Sequence, residues 1–356
     1  MGVLRTLLAI SVLVSHLGGL YGWQLVGGAI AVQSFYIVSG FYMAMILEEK
    51  YFKRQNALYL FWSNRLLRLY PIYWVILIAT IVLFSTSYAF SARSWQLGNY
   101  FEYDLSIGSY VYLIFSQLFL VGQEFSMFLG VSDGALFFNL DESTKLTTNN
   151  FMFVPPAWTI GLEVMFYFFA PFLVKLKSRT LWLLVVASVI LRFFLVSIGL
   201  DFSPWDYRFF PTELIFFIVG MLSYRFSNSF NSISITSSYL VWGFLIFFIL
   251  LYQFIPVLEL GKRVALYVSL TISVPIIFNL FKSSKFDRWV GELSYPIYIS
   301  HMFLIYVMRT YFIEFTSFVL FVPIFILLVI CFSILLIKLV SEPIESFRRS
   351  RISSIS

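Results

Sequence analysis

The sequence predicts an all-α polytopic membrane protein, with about ten transmembrane helices and both termini in the cytoplasm. Three observations carry this. The 356 residues are 60% hydrophobic and 12% charged, with a mean hydropathy of +0.88, whereas soluble domains carry about 25% charged residues. Apolar runs of span length recur along the whole chain. Basic residues concentrate in alternate connections. The aromatic share of 21%, with 43 Phe and 22 Tyr, suits lipid-facing helices with interfacial belts.

The first run, "RTLLAISVLVSHLGG", has the single arginine and apolar stretch of a secretory leader. "HLGGLYGWQ" offers no small-x-small cleavage site, and a second apolar run follows at once, so it reads as a retained span. A span needs roughly 17–25 mostly apolar residues. The candidates are 3–20, 27–47, 71–88, 157–174, 180–199, 211–226, 239–256, 264–281, 294–313 and 317–340.

Loop charges set the orientation. Segment 48–70 carries Lys50, Lys53, Arg54, Arg65 and Arg68 against Glu48 and Glu49, and reads as cytoplasmic. Stretch 89–156 has two basic residues (Arg93, Lys145) against six acidic ones (Glu102, Asp104, Glu124, Asp133, Asp141, Glu142), and reads as a long outer loop. Lys175, Lys177 and Arg179 mark the next connection as inside. Both readings hold only if the short apolar stretch 108–122 does not cross, so it is expected to be re-entrant or interfacial. Lys282, Lys285 and Arg288 place 282–293 inside, as Arg348, Arg349 and Arg351 place the basic tail 346–356. Residues 1–345 thus form a single membrane domain. The lone Cys331 excludes an intramolecular disulfide framework or a cysteine-built metal site, and no metal is expected. The net charge of +6 belongs to the inner face and does not argue for nucleic acid. No internal repeat is evident, which weakens a transporter of inverted halves.

Four ionisable residues fall in spans, where charge is expensive: His16, Glu163, Arg192 and Glu213. All four map to the outer half, so helices of opposite direction bring polar groups to one depth. Simpler readings stand beside this one. His16 would serve as an interhelical hydrogen-bonder, Arg192 and Glu213 would pair with each other, and Arg65 with Arg68 would only anchor topology. His301, ending "SYPIYISH", maps to the inner half, far from His16.

Taken together, the motifs resemble the membrane-bound acyltransferase family 3, bacterial O-acyltransferases of cell-surface glycans. "RTLLAISVLVSH" supplies the family's arginine and histidine, Arg5 and His16. "AVQSFYIVSGFYM" is similar to its second-span signature, with Phe35, Ser39 and Gly40. "FWSNRLLRLYPIYW" carries an R-x-x-R motif, Arg65 and Arg68, before Tyr70 and Pro71. "PAWTIGLEVMFYFFAP" holds Trp158 and Glu163, "GELSYPIYISH" ends in His301, and "SEPIESFRR" resembles a closing E-x-P motif, Glu342 and Pro343. Some members add an extracytoplasmic hydrolase-like domain. With no such segment here, a stand-alone member is expected, and the long outer loop is a candidate acceptor-binding element.

The resemblance implies transfer of an acyl group, usually acetyl, from acetyl-CoA to a hydroxyl of a cell-surface or lipid-linked glycan, in the bacterial inner membrane. Arg65 and Arg68 are three apart, on one helix face, and guanidinium forks suit phosphate. Arg5 and Tyr70 would assist them. A neutral His16 would act as general base, oriented by Glu163 as in a triad; an acyl-histidine route fits equally. Ser39, Trp158, Arg192, Glu213 and His301 would support the site. The expected partners are acyl-coenzyme A, the glycan acceptor and membrane lipid. Two other classes stay open: a transporter or flippase for a lipid-linked sugar, and a non-catalytic component of a surface-polysaccharide assembly.

Overall fold

The computed structural model describes residues 1–91, 95–141, 144–317 and 319–353. Arg93, Glu142 and the last three residues of the basic tail lie outside them. Among the described residues there are thirteen α-helices and one short β-hairpin. The helices are α1 (Gly2–His16), α2 (Gly28–Ile46), α3 (Ala57–Ser91), α4 (Trp95–Glu102), α5 (Ile107–Phe119), α6 (Trp158–Leu173) and α7 (Ser178–Ser197). They continue with α8 (Phe210–Arg225), α9 (Ile235–Leu251), α10 (Glu259–Phe281), α11 (Lys285–Tyr311), α12 (Phe321–Leu336) and α13 (Glu342–Ser353). The antiparallel hairpin pairs β1 (Leu129–Ser132) with β2 (Ala135–Phe138).

Each of the ten apolar segments is a helix, and seven helices are long and apolar enough to cross a membrane. This is an all-α polytopic membrane protein. The boundaries differ where polar residues extend a helix past its apolar run. α3 starts at Ala57 and continues through Pro71. α11 starts at Lys285, well before the apolar run, with the Ser284 hydroxyl capping the Asp287 amide. Stretches expected as cytoplasmic loop are therefore helical and carry charged side chains on helix faces. The tail is also helical over Glu342–Ser353.

The stretch expected to be re-entrant or interfacial forms α5, which has 13 residues, about 20 Å and short of a roughly 30 Å hydrocarbon core. It stops beside the middle of α3. There Trp74 Nε1 donates to the Leu118 carbonyl at 2.8 Å. The hydroxyls of Tyr70 and Tyr73 donate to the carbonyls of Phe119 and Gln117. These donors satisfy carbonyls that a helix end leaves open.

Two close helix crossings set the frame of the site. α2 meets α8 backbone to backbone. A Cβ on Gly40 would lie 2.0 Å from the Phe217 carbonyl oxygen, and one on Gly220 would lie 2.0 Å from that of Ile37. α1 meets α11 in the same way, and a Cβ on Gly2 would lie 1.6 Å from the Asp287 carbonyl oxygen. Small residues allow such approach without a hydrophobic driving force between helices. α1 and α11 then run side by side, so each residue of α1 has a counterpart at its own depth on α11.

Candidate active site

The α1–α11 pairing overturns one expectation. His301 does not lie apart from His16; the ring centroids are 4.9 Å apart. The early start of α11 is the reason. His301 sits 16 residues beyond Lys285, about 24 Å, which brings it level with the end of α1. The apolar run alone suggested a shallower helix and a different depth.

Both rings have a defined tautomer. His16 Nδ1 lies 2.9 Å from the Val12 carbonyl oxygen, and His301 Nδ1 lies 2.6 Å from that of Tyr298. A carbonyl only accepts, so in each neutral ring Nδ1 carries the proton and Nε2 is the open acceptor. His301 is fully buried, and its Nε2 has no partner among the described residues. His16 is exposed, and is the histidine of the pair that a substrate can reach.

A cavity of about 470 Å³ lies along the same helices, within the usual range for small-molecule sites. Arg5, Arg65 and Arg68 all line it, as do Ser39 and Glu163. Arg65 is buried and its Nε has no partner among the described residues. Arg68 faces Glu292 at 3.6 Å. Tyr36, Thr159 and Tyr298 line the cavity as well. The Thr159 hydroxyl donates to Tyr298 Oη at 2.8 Å, which donates in turn to the Pro156 carbonyl at 3.2 Å. The Tyr298 ring also packs 6.0 Å from His301. The arginines and the histidines therefore occupy opposite sides of one aromatic floor.

Glu163 is not the partner of His16. Its carboxylate accepts from the Ser39 hydroxyl at 2.9 Å and from the Tyr167 hydroxyl one turn along α6. The two prolines before Trp158 start α6 beside the middle of α11, so Glu163, more than a turn later, falls within the cavity, on the arginine side of the floor. Tyr70 does not line the cavity, because its hydroxyl is used on the end of α5. Trp158 is outside as well. Its indole carries the guanidinium of Arg208, 4.2 Å from the ring centroid.

Arg192 and Glu213 bond to each other and not to the histidines. Arg192 Nη2 donates to Glu213 Oε1 at 2.6 Å, and Gln33 Nε2 donates to the same oxygen at 3.0 Å. Tyr267 donates to Gln33. The simpler pairing anticipated for these two residues is the observed one.

Among the residues at the site with no assigned role in the sequence reading, four charged ones stand out. Lys282 and Arg288 line the cavity beside the three arginines, though as sequence they mark only an inner loop. Arg288, Glu292 and Tyr295 follow spacings of four and three, which set them on one helical face. That signal becomes readable once α11 is extended back to Lys285. The third and fourth are Asp206 and Arg208, in the loop between α7 and α8. Burial raises the Asp206 carboxyl, with the charges of Arg192 and Arg208 acting against it. Among the described residues no cluster of His, Cys, Asp and Glu could hold a metal ion.

A family model described as an acyltransferase domain, acyltransferase family 3, matches residues 1–338. The chain is also 25% identical over 213 residues to an uncharacterized protein of Aquifex aeolicus strain VF5, covering 57% of this chain and 92% of that protein. No solved structure matches.

Proposed function

The chain belongs to acyltransferase family 3, and from that premise we propose that it moves an acetyl group from acetyl-CoA to a hydroxyl of a cell-surface or lipid-linked glycan at the bacterial inner membrane. One observation carries this reading. Arginines and histidines sit on opposite sides of one floor, and α1 and α11 each carry one of both kinds while α3 adds Arg65 and Arg68. Arg5 and His16 are both on α1, eleven residues and about 16 Å apart. Arg5, Arg65 and Arg68, with Lys282 and Arg288, line one cavity. Such a cluster suits the phosphates of coenzyme A, which is made in the cytoplasm.

In this reading the cavity opens to the cytoplasm and holds the donor. The thioester arm reaches the floor of Tyr36 and Tyr298. The acceptor approaches His16 from the other side. His16 Nε2, unprotonated, takes the hydroxyl proton as the oxygen attacks the thioester carbonyl. The carbon–sulfur bond then breaks, and the imidazolium returns its proton to the leaving thiolate. His301, with its Nε2 open beside His16, supports the base. Ser39, Glu163 and Tyr167 form a polar relay on the donor side, where they position the arm of the donor.

The test is chemical. Surface glycan is isolated from cells with and without the gene, and base-labile acetate is measured. The proposal expects ester-linked acetate only with the gene, and label from acetyl-CoA in that ester when purified protein and glycan are combined. Equal ester content in both strains, with no label transferred, would sink it.

A further inference from the structure

The loop between α7 and α8 has buried polar atoms that nothing among the described residues satisfies. Asp206 Oδ1 has no hydrogen-bond partner among the described residues, and neither have Arg208 Nε and Nη1. Buried polar groups in native structures are nearly always paired, and an orphan calls for an explanation. Here three orphan atoms, one acceptor and two donors, come from residues two apart on a held backbone.

The loop is held from three directions. Trp205 is buried against Phe128 of the β-hairpin, with ring centroids 4.9 Å apart. Arg192 Nη1 donates to the Asp206 carbonyl oxygen at 2.5 Å, so the Arg192–Glu213 pair fixes the loop's main chain. The Arg208 guanidinium lies over Trp158 and gives Nη2 to the Tyr207 hydroxyl at 3.0 Å. Tyr207 packs edge-on to Trp158, with centroids 5.4 Å apart.

This anchoring sets the loop's depth. Trp158 opens α6, and its neighbour Thr159 bonds to Tyr298, which packs on His301. Neither Arg208 nor Asp206 lines the arginine cavity. Through Trp158, Thr159 and Tyr298 the loop reaches the floor where His301 packs on it.

We infer that Asp206 and Arg208 form a subsite for sugar hydroxyls, which holds the acceptor ring with its reacting oxygen toward His16. The ligand class follows from the pair. An arginine alone would suit an anion, but the carboxylate beside it opposes one. The orphan atoms offer an acceptor and two donors, which match hydroxyls, since each hydroxyl both donates and accepts. The Trp158 and Tyr207 rings hold the guanidinium in place, so its open N–H groups are preorganised. The identity of the reacting hydroxyl rests on the acyl-transfer reading; the sugar subsite does not.

The test uses full-length protein in nanodiscs and glycan isolated from cells lacking the gene. Asp206→Asn and Arg208→Gln are compared with the wild type. Saturation-transfer NMR reads glycan binding, and acetyl transfer is followed as glycan concentration varies. Arg208→Gln removes guanidinium donors and Asp206→Asn turns a charge-assisted hydrogen bond into a neutral one, so KM for the glycan should rise about tenfold while kcat stays within about threefold. Binding signal should fall in parallel. A purely structural role would instead lower kcat or the yield of folded protein and leave KM alone. Unchanged glycan KM and binding in a folded Asp206→Asn variant would overturn the proposal, and this isosteric change keeps the test decisive even if Arg208→Gln misfolds. Glycan bound by the wild type but never acetylated would remove the acyl-transfer reading and leave the sugar subsite standing. No binding by the wild type would remove the subsite.

Discussion

The imidazoles of His16 and His301 face each other at 4.9 Å, each with Nδ1 committed to a carbonyl of its own helix. In the neutral ring Nε2 is then the open acceptor of each, in a chain with only two histidines.

His16→Ala should abolish acetyl transfer while acetyl-CoA still binds, because the ring lies across the floor from the arginine cavity. General-base catalysis contributes about 10²–10⁴-fold, so a loss of that size is expected in a single-turnover assay. His301→Ala should also be severe, at about tenfold or more. Its depth gives it no separate task, and its removal opens a void beside the base. Full activity in His16→Ala would move the base elsewhere.

Arg65→Ala and Arg68→Ala should each weaken acetyl-CoA binding. A charge-assisted hydrogen bond is worth roughly 1.5–3 kcal/mol, or about ten- to hundredfold in affinity. Calorimetry on purified protein reads this directly. Unchanged affinity in both would reduce the pair to a topology anchor.

Arg192→Ala should destabilise the protein without a matching loss of chemistry. Glu213 is 0% exposed and would remain buried without its cation. Breaking a buried pair in this way costs about 3–5 kcal/mol. Thermal unfolding in detergent should show a clear drop in midpoint. Activity per folded molecule, at saturating glycan, should change by less than about threefold. A loss of turnover at unchanged stability would return Arg192 to the reaction.

Gly40→Ala and Gly220→Ala should each destabilise by about 1–3 kcal/mol or more, because the added methyl meets a backbone carbonyl that cannot turn aside. Leu→Ala substitutions leave cavities, whereas these overpack, so the two helices must separate. Midpoints equal to wild type would mean that α2 and α8 do not meet at these residues.

Topology is tested by cysteine labelling after Cys331 is replaced. A cysteine at Asp141 should react with an impermeant reagent from outside, and one at Lys177 only after the inner face is exposed. Reaction of position 141 from the inside alone would mean that α5 crosses.

The sequence by itself determined the class of the protein. Composition and span-length runs dictate helices, because an unpaired backbone is too costly in lipid, and each of the ten runs is a helix. It also named Arg5, Arg65, Arg68, Ser39 and Glu163, which tertiary structure gathers on one cavity. What it did not determine was depth and partnership. Hydropathy sees where a helix is apolar, not where it begins, so the polar first turns of α11 were invisible and His301 was set at the wrong level. His16 goes beside His301 because a glycine-mediated crossing brings α1 close to α11, and Glu163 goes to Ser39 and Tyr167 because α6 packs on α2. Those distances are properties of two helices at once, and no single run of residues encodes them. The same holds for Asp206 and Arg208, two ordinary loop charges until the indole of Trp158 and the guanidinium of Arg192 fix them at the start of α6.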